Sequence, residues 1–349
     1  MTTERDPVSV PNFRRPLTVL LAGAVLTLTA CSGEEDYEPE AGALQIYSAQ
    51  HEKVTQAWAD AFTEATGIET QIRSGQDSSM GHQIVEEGES SPADVFLTEN
   101  SPAMTLVQRA EMLAEVDPAT REQLPEGLVP SSQDWVPIAA RSTVLVYNTD
   151  LVSQDELPAS MMDLADSKWD DRWGGAPGGA DFQAIVAGML EEEGEAATRD
   201  WLQNLKDNAV VYQNNIATMK AVNAGEVPVG IMYHYYWYRD QAGDQEGSNN
   251  TKLHYFGEQD PGAFVSLSGG GVLKGADMAA EGQQFLDYVV SPEGQQVLTD
   301  SESMEYAVAT GVDSDPALPP LDSLDAPPVD PFALNSDDVI AMMTDVGLL

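Results

Sequence analysis

Four residues could assemble a site for a hard cation. His51 follows the β-prone run LQIY at 44–47, Glu99 follows ADVFL, and Tyr235 and Tyr236 follow VGIM. Oxygen donors that include two phenols suit a highly charged ion. Zinc favours Cys and His, and calcium favours carboxylates and carbonyls. A free tyrosine, with a pKa of about 10, stays protonated at neutral pH, but a trivalent ion is a large enough local charge to displace that proton. Two phenolates, a carboxylate and a neutral imidazole make a set that fits ferric iron. The same aromatic cluster also suits hydrophobic packing, or a cation–π wall for an organic cation such as a polyamine or thiamine.

Other chemistries lack their residues. The chain has no GxSxG, HExxH or GxxxxGK[ST] pattern, so an enzyme is not expected. Its one cysteine makes no internal disulfide, CxxC centre or thiolate zinc site. With 58 Asp plus Glu against 16 Lys plus Arg, the net charge is −42. Such a surface repels phosphate backbones and anionic lipid, which excludes nucleic acid and polybasic membrane association, while a cation remains attractive.

The elements that must position these residues alternate. A strand at 44–47 leads to Val54, Trp58, Phe62 and Ala65 at helical spacing, a stop at Gly67, and a strand at 68–72. The unit recurs as a helix in MGHQIVEEG, the strand ADVFLTE, a helix at 101–113 and a strand at 144–147. Beyond 150 the pattern predicts a Gly-rich turn at 173–179, helices at 182–192, 196–205 and 217–224, and strands at 227–232 and 263–267. A glycine-rich corner, SGGGVLKG, follows, then helices at 279–290 and 292–298, a Pro- and Asp-rich tail at 313–331, and a helix at 337–344. This is an α/β pattern, in which ligands sit beyond the carboxyl ends of the strands. The four candidates fall there. Two lobes, with chain crossings near 140 and near 265, are the economical layout.

Arg14-Arg15, an apolar run over 17–28 and small residues up to Cys31 read as a secretory signal over 1–30, too short to span a bilayer. LTAC at 28–31 resembles a lipobox, which makes Cys31 the lipidated first residue of an extracytoplasmic protein anchored to the cell membrane. Residues 31–42 form an acidic tether.

Together, IYSAQH, ATGIE, EEGESSPADVFLTEN, WVPIAARSTVLVYNT, YYW and DPGAFVSLSGGGVLK resemble the ferric-iron-binding solute receptors of bacterial ABC importers, over about 44 to 307. The resemblance implies a two-lobed periplasmic-binding-protein fold of type II with a transferrin-like cleft. Lobe 1 would span 43–140 plus about 265–312, and lobe 2 would span 141–264 plus about 313–349. It implies a monomer that holds one Fe(3+) through His51, Glu99, Tyr235 and Tyr236 and serves an ABC permease and its ATPase. Many such receptors also hold phosphate or carbonate, which points to Asn100, the turn Gly178-Gly179-Ala180, and Asn215 as anion contacts.

Two positions depart from that pattern. The turn APGGAD lacks a hydroxyl residue, so anion contacts there would come from backbone N–H groups of the next helix. Tyr233-His234 stands where asparagines are common, and His234 is expected on the surface at a helix start. His82 is expected to be a solvated helix residue and His254 a structural one, while the glycines of SGGGVLK suit a close turn.

Overall fold

The computed structural model describes residues 37–330 and 333–349. The expected signal, Cys31 and the start of the tether lie outside them. The strands are β1 (Leu44–Ser48), β2 (Thr70–Ser74), β3 (Val95–Leu97), β4 (Val136–Asn148), β5 (Trp173–Gly175), β6 (Val210–Val211), β7 (Val229–Tyr233), β8 (Thr251–His254) and β9 (Val265–Val272). The helices are α1 (Glu52–Thr66), α2 (Asp77–Glu87), α3 (Ser101–Arg109), α4 (Pro118–Arg121), α5 (Ala180–Asn208), α6 (Asn215–Ala224), α7 (His234–Ala242), α8 (Ala279–Val289), α9 (Pro292–Asp300) and α10 (Ser336–Val346).

The strands run in the order β2-β1-β3-β9-β4-β7-β5-β6, with β8 also paired to β4. β1, β2 and β3 are parallel, and β9 runs against both β3 and β4. β5, β6 and β7 are parallel and meet β4 through the antiparallel β7. β4 therefore belongs to two sheet regions. Its residues 136–142 pair with β9, and residues 143–148 pair with β7 and β8.

Each region covers its own apolar core. Around β1, β3 and the first part of β4 pack Trp58, Phe62, Phe285 and Leu286. Around β5 and β7 pack Trp169, Trp173, Trp201 and Phe182, closed by Val339, Met342 and Met343 of α10. α1 shows why the spacing works. Val54, Trp58 and Phe62 recur every four residues on one buried face, and the helix stops at Gly67, whose φ of 77° a side chain would resist. The Trp58 indole donates to the Gly294 carbonyl of α9 at 2.7 Å, satisfying the one polar atom of a buried aromatic.

Several elements differ from the sequence expectation. The strand expected at 144–147 is the thirteen-residue β4, buried throughout, because its two ends serve two sheet regions. The glycine-rich corner is not a turn: Gly269, Gly270 and Gly271 lie inside β9. They are required by close packing. A Cβ on Gly270 would meet Leu286 at 2.9 Å, and one on Gly271 would meet Leu113 at 2.9 Å. The helices expected at 182–192 and 196–205 are the two arms of α5, interrupted at Gly194. The tail expected with the second lobe after about 313 first serves the other core, where Leu318 and Leu324 are buried. Among the described residues no helix is long and apolar enough to cross a membrane.

Candidate cation site

Five helix starts bring polar side chains into one region. His51 is the N-cap of α1 and Asn100 that of α3, with Glu99 just before it. Asp181 lies in the first turn of α5 and Asn215 opens α6. Tyr235 and Tyr236 lie in the first turn of α7, capped by Tyr233. The N-terminal end of a helix carries partial positive charge, which favours carboxylates and phenolates there.

The centre of the region is a residue sequence reasoning missed. Asp181 is buried, and its carboxylate accepts from the Tyr236 hydroxyl at 2.9 Å and the Tyr235 hydroxyl at 3.2 Å. It also accepts from Asn215 Nδ2 at 2.8 Å and Asn100 Nδ2 at 3.1 Å. The Tyr235 hydroxyl lies 3.2 Å from Glu99 Oε1 as well. His51 Nε2 stands 3.6 Å from the same oxygen and has no hydrogen-bond partner. The Tyr235 and Tyr236 rings are 4.1 Å apart between centroids, and His51 meets Tyr235 edge-on at 5.1 Å. All four sequence-predicted cation ligands thus converge. Asn100 and Asn215 join them, but as donors to Asp181. Gly178, Gly179 and Ala180 form the entry to α5.

A second layer fixes the loop that carries Glu99. The carboxylate of Asp77, at the start of α2, accepts from the backbone N–H of Glu99 at 2.8 Å and of Asn100 at 2.9 Å. Asn100 Oδ1 accepts from Ser266 Oγ at 2.8 Å and from the Tyr233 hydroxyl at 3.3 Å, which settles where Tyr233 points. Arg141, fully buried on β4 where its pairing changes partner, donates from Nε to Glu305 at 2.7 Å and from Nη2 to Gln50 at 2.7 Å. It also donates from Nη1 to the Glu99 carbonyl. The only sequence signal for Arg141 was a lone charge inside the apolar run WVPIAARSTVLVY. Asp181 had none in a chain with 58 acidic residues.

His234 departs from its expected surface position. It is fully buried, its Nδ1 accepts from the Ser142 N–H at 3.1 Å, and its ring stacks on Tyr306 at 4.7 Å. The β7–α7 junction carries it inward because β7 pairs with β4 at the middle of the molecule, Tyr233 lying opposite Thr143. His82, by contrast, is half exposed on α2 near Asp337, and His254 ends β8.

Charge is costly to bury here, and the proton affinities show it. Burial pushes the Tyr235 and Tyr236 phenols well above their ordinary range, and Asp181 and Glu99 add to the shift. Burial likewise raises Glu99 strongly and lifts Asp77 to about 7. It pushes His51 down, leaving a neutral imidazole with a lone pair to give. Glu305 is the exception. Burial works most strongly against its charge, but Arg141, His51 and Gln50 together outweigh that and hold it below the usual carboxylate range. Among the described residues no three His, Cys, Asp or Glu side chains are grouped to hold a metal by themselves. A cation site here has to use the phenols.

Residues 90–333 match the family of bacterial extracellular solute-binding proteins. The chain is also 48% identical, over 96% of its length and 97% of the other's, to a protein of Serratia marcescens named Fe(3+)-binding periplasmic protein. The chain belongs to the bacterial extracellular solute-binding proteins. Two solved structures share its architecture. Iron-bound HitA from Pseudomonas aeruginosa is 39% identical, with a TM-score of 0.82 over 87% of this chain and 99% of that one. A Trichodesmium protein, IdiA or FutA, in complex with iron and citrate is 29% identical, with a TM-score of 0.76 over 88% and 99%. This solute-binding protein therefore has the α/β periplasmic-binding-protein fold, and it belongs to a family of extracytoplasmic carriers and not of enzymes.

Proposed function

We propose that this solute-binding protein captures ferric iron between its two sheet regions and delivers it to an ABC permease and its ATPase, as a monomer anchored to the cell membrane through a lipid on Cys31. One observation carries the reading: the phenols of Tyr235 and Tyr236 both donate to the buried Asp181 carboxylate, and Tyr235 also reaches Glu99 Oε1, the oxygen that stands 3.6 Å from the neutral His51 imidazole. The Serratia relative is named for the same ion, and the HitA structure is iron-bound. In this reading His51 and Glu99 come from the first region and Tyr235 and Tyr236 from the second, so binding draws the two together about β4 and β9. The phenols enter protonated, so the ion displaces two protons, and affinity rises with pH.

The anion role is filled from within. The amide donors of Asn100 and Asn215, expected to hold phosphate or carbonate, are engaged by Asp181. We propose that its carboxylate takes the place of an added anion and faces the ion. Asp181 thereby joins the other four side chains as a direct contact.

The test is a visible titration of the mature protein with ferric citrate. Tyrosinate-to-iron charge transfer gives a red to purple band, unchanged when phosphate and carbonate are removed. Tyr235→Phe with Tyr236→Phe abolishes the band, and Asp181→Asn weakens binding at least about a hundredfold, as loss of a charged ligand does. A colourless protein that binds a polyamine or thiamine refutes the ferric reading. An Asp181→Asn protein with unchanged affinity refutes the built-in anion.

A further inference from the structure

The C-terminal segment ties the two sheet regions together by a route other than β4 and β9. Leu318 and Leu324 are buried in the first core. The next residue, Asp325, already accepts from the backbone N–H of Glu258 at 2.8 Å, in the segment that leads to Ala263 and Phe264 of the second core. The chain then runs to α10, which Val339, Met342 and Met343 fix in that second core. Around the start of this helix it reaches back to the first region. Arg109 Nη2, at the end of α3, donates to the Ala333 carbonyl at 2.7 Å. His82 Nε2, on α2, stands 3.6 Å from Asp337 Oδ1, an ion pair once the imidazole is protonated. Between these two contacts Ser336 shares with Asp77, Asn100, Pro102 and Ala184 a gap of only about 10 Å³, room for one water at most.

The two helices so held are the ones that carry Glu99. α2 opens with Asp77, whose carboxylate fixes the backbone of Glu99 and Asn100, and α3 begins directly after Asn100. Glu99 in turn meets Tyr235 of the second region. Any motion that parts the regions at the cation site must therefore also pull Arg109 and His82 away from the α10 segment, which its own core keeps with the second region. We propose that residues 333–337 are a clasp: through Arg109 and His82 they hold the Glu99 loop against Tyr235 and Tyr236, so that opening and ferric release wait on contacts made outside the cation site. The part concerning release rests on the ferric reading above, whereas the clasp itself does not. At about 1.5 Å per helical residue, Arg109 lies about 12 Å along α3 and His82 about 7.5 Å along α2 from Asp77, so both act at a distance, as positioning residues. Both are exposed, and replacing them leaves the two cores intact.

Two measurements on the full mature chain test this. In the first, ferric-loaded protein is mixed with excess EDTA and the fading of the charge-transfer band is followed. His82→Ala with Arg109→Ala releases iron about fivefold faster than the wild type, while the Tm of the iron-free protein stays within a degree or two. His82→Arg, which makes the charge facing Asp337 permanent, slows release instead. In the second, small-angle X-ray scattering of the iron-free chains gives the double variant a larger radius of gyration than the wild type, because more of its population has parted regions. A double variant that releases iron at the wild-type rate overturns the proposal, as does one whose radius of gyration is unchanged. If the wild type gives no band with ferric iron, the ferric reading fails, and the scattering comparison still decides whether the clasp exists.

Discussion

Acid should destabilise this protein through one residue in particular. Burial holds the His234 imidazole at a pKa of about 4, against 6.5 for an open chain. Because the folded value lies below the unfolded one, the unfolded chain takes up a proton that the folded chain refuses. Stability is therefore lost as pH falls through 6.5 toward 4. Integrated from about pH 7.5 to about pH 4.5, the loss is about 2.5 kcal/mol. His234→Asn removes the titrating group and keeps a carbonyl oxygen for the Ser142 N–H that now donates to Nδ1. It forfeits the stack on Tyr306, at about 1 kcal/mol at neutral pH. The assay is urea unfolding of both proteins at the two pH values. His51 and His254, also pushed down by burial, titrate in both proteins and cancel in the difference. The wild type should lose about 2.5 kcal/mol more than the variant. Equal losses on acidification would refute the argument that His234 is held neutral by burial.

Two further substitutions probe the frame. Arg141→Met strands Glu305, fully buried, without its counter-ion and should cost about 3 to 5 kcal/mol in denaturant unfolding. Adding Glu305→Gln should recover part of that loss, and no recovery would mean that charge is not the issue. Gly294→Ala places a Cβ 2.0 Å from the Tyr288 carbonyl oxygen and 2.8 Å from that of Val289. These are backbone atoms that cannot rotate away, and the shift also pulls on the bond from Trp58. Thermal unfolding should register a loss of about 3 kcal/mol or more, and a Tm within a degree or two of wild type would show that α9 can slide.

What the sequence disclosed follows from how local each signal is. α1 and the arms of α5 are local: apolar spacing and a stopping glycine define them before any tertiary contact exists. The candidate cation ligands were legible for a related reason, since each sits just past a strand end or at a helix start, where the α/β alternation puts binding groups. β9 was misread because three glycines in a row look like a turn unless one knows that Leu113 and Leu286 press on them. His234 was misplaced because its helix is short and polar, and only the pairing of β7 with β4 carries it inward. Asp181 and Arg141 were missed on opposite grounds. The aspartate is one acid among 58, while the arginine needs partners that arrive from Gln50 and Glu305, far away in the chain.

The pairing of β3 with β9 also dictates an order of assembly. The first region to be synthesised cannot complete its sheet until β9 has been made, and its core needs Phe285 and Val308 as well. The second region waits longer still, for Val339, Met342 and Val346. Neither core can close until distant segments have been made, as far as Leu324 for the first and α10 for the second. Contacts so distant in sequence carry a large loop-closure cost and make for slow folding. A nascent chain of this design keeps its second core open until α10 is available, a condition that suits threading through an export channel and exposes that region to aggregation until the helix docks.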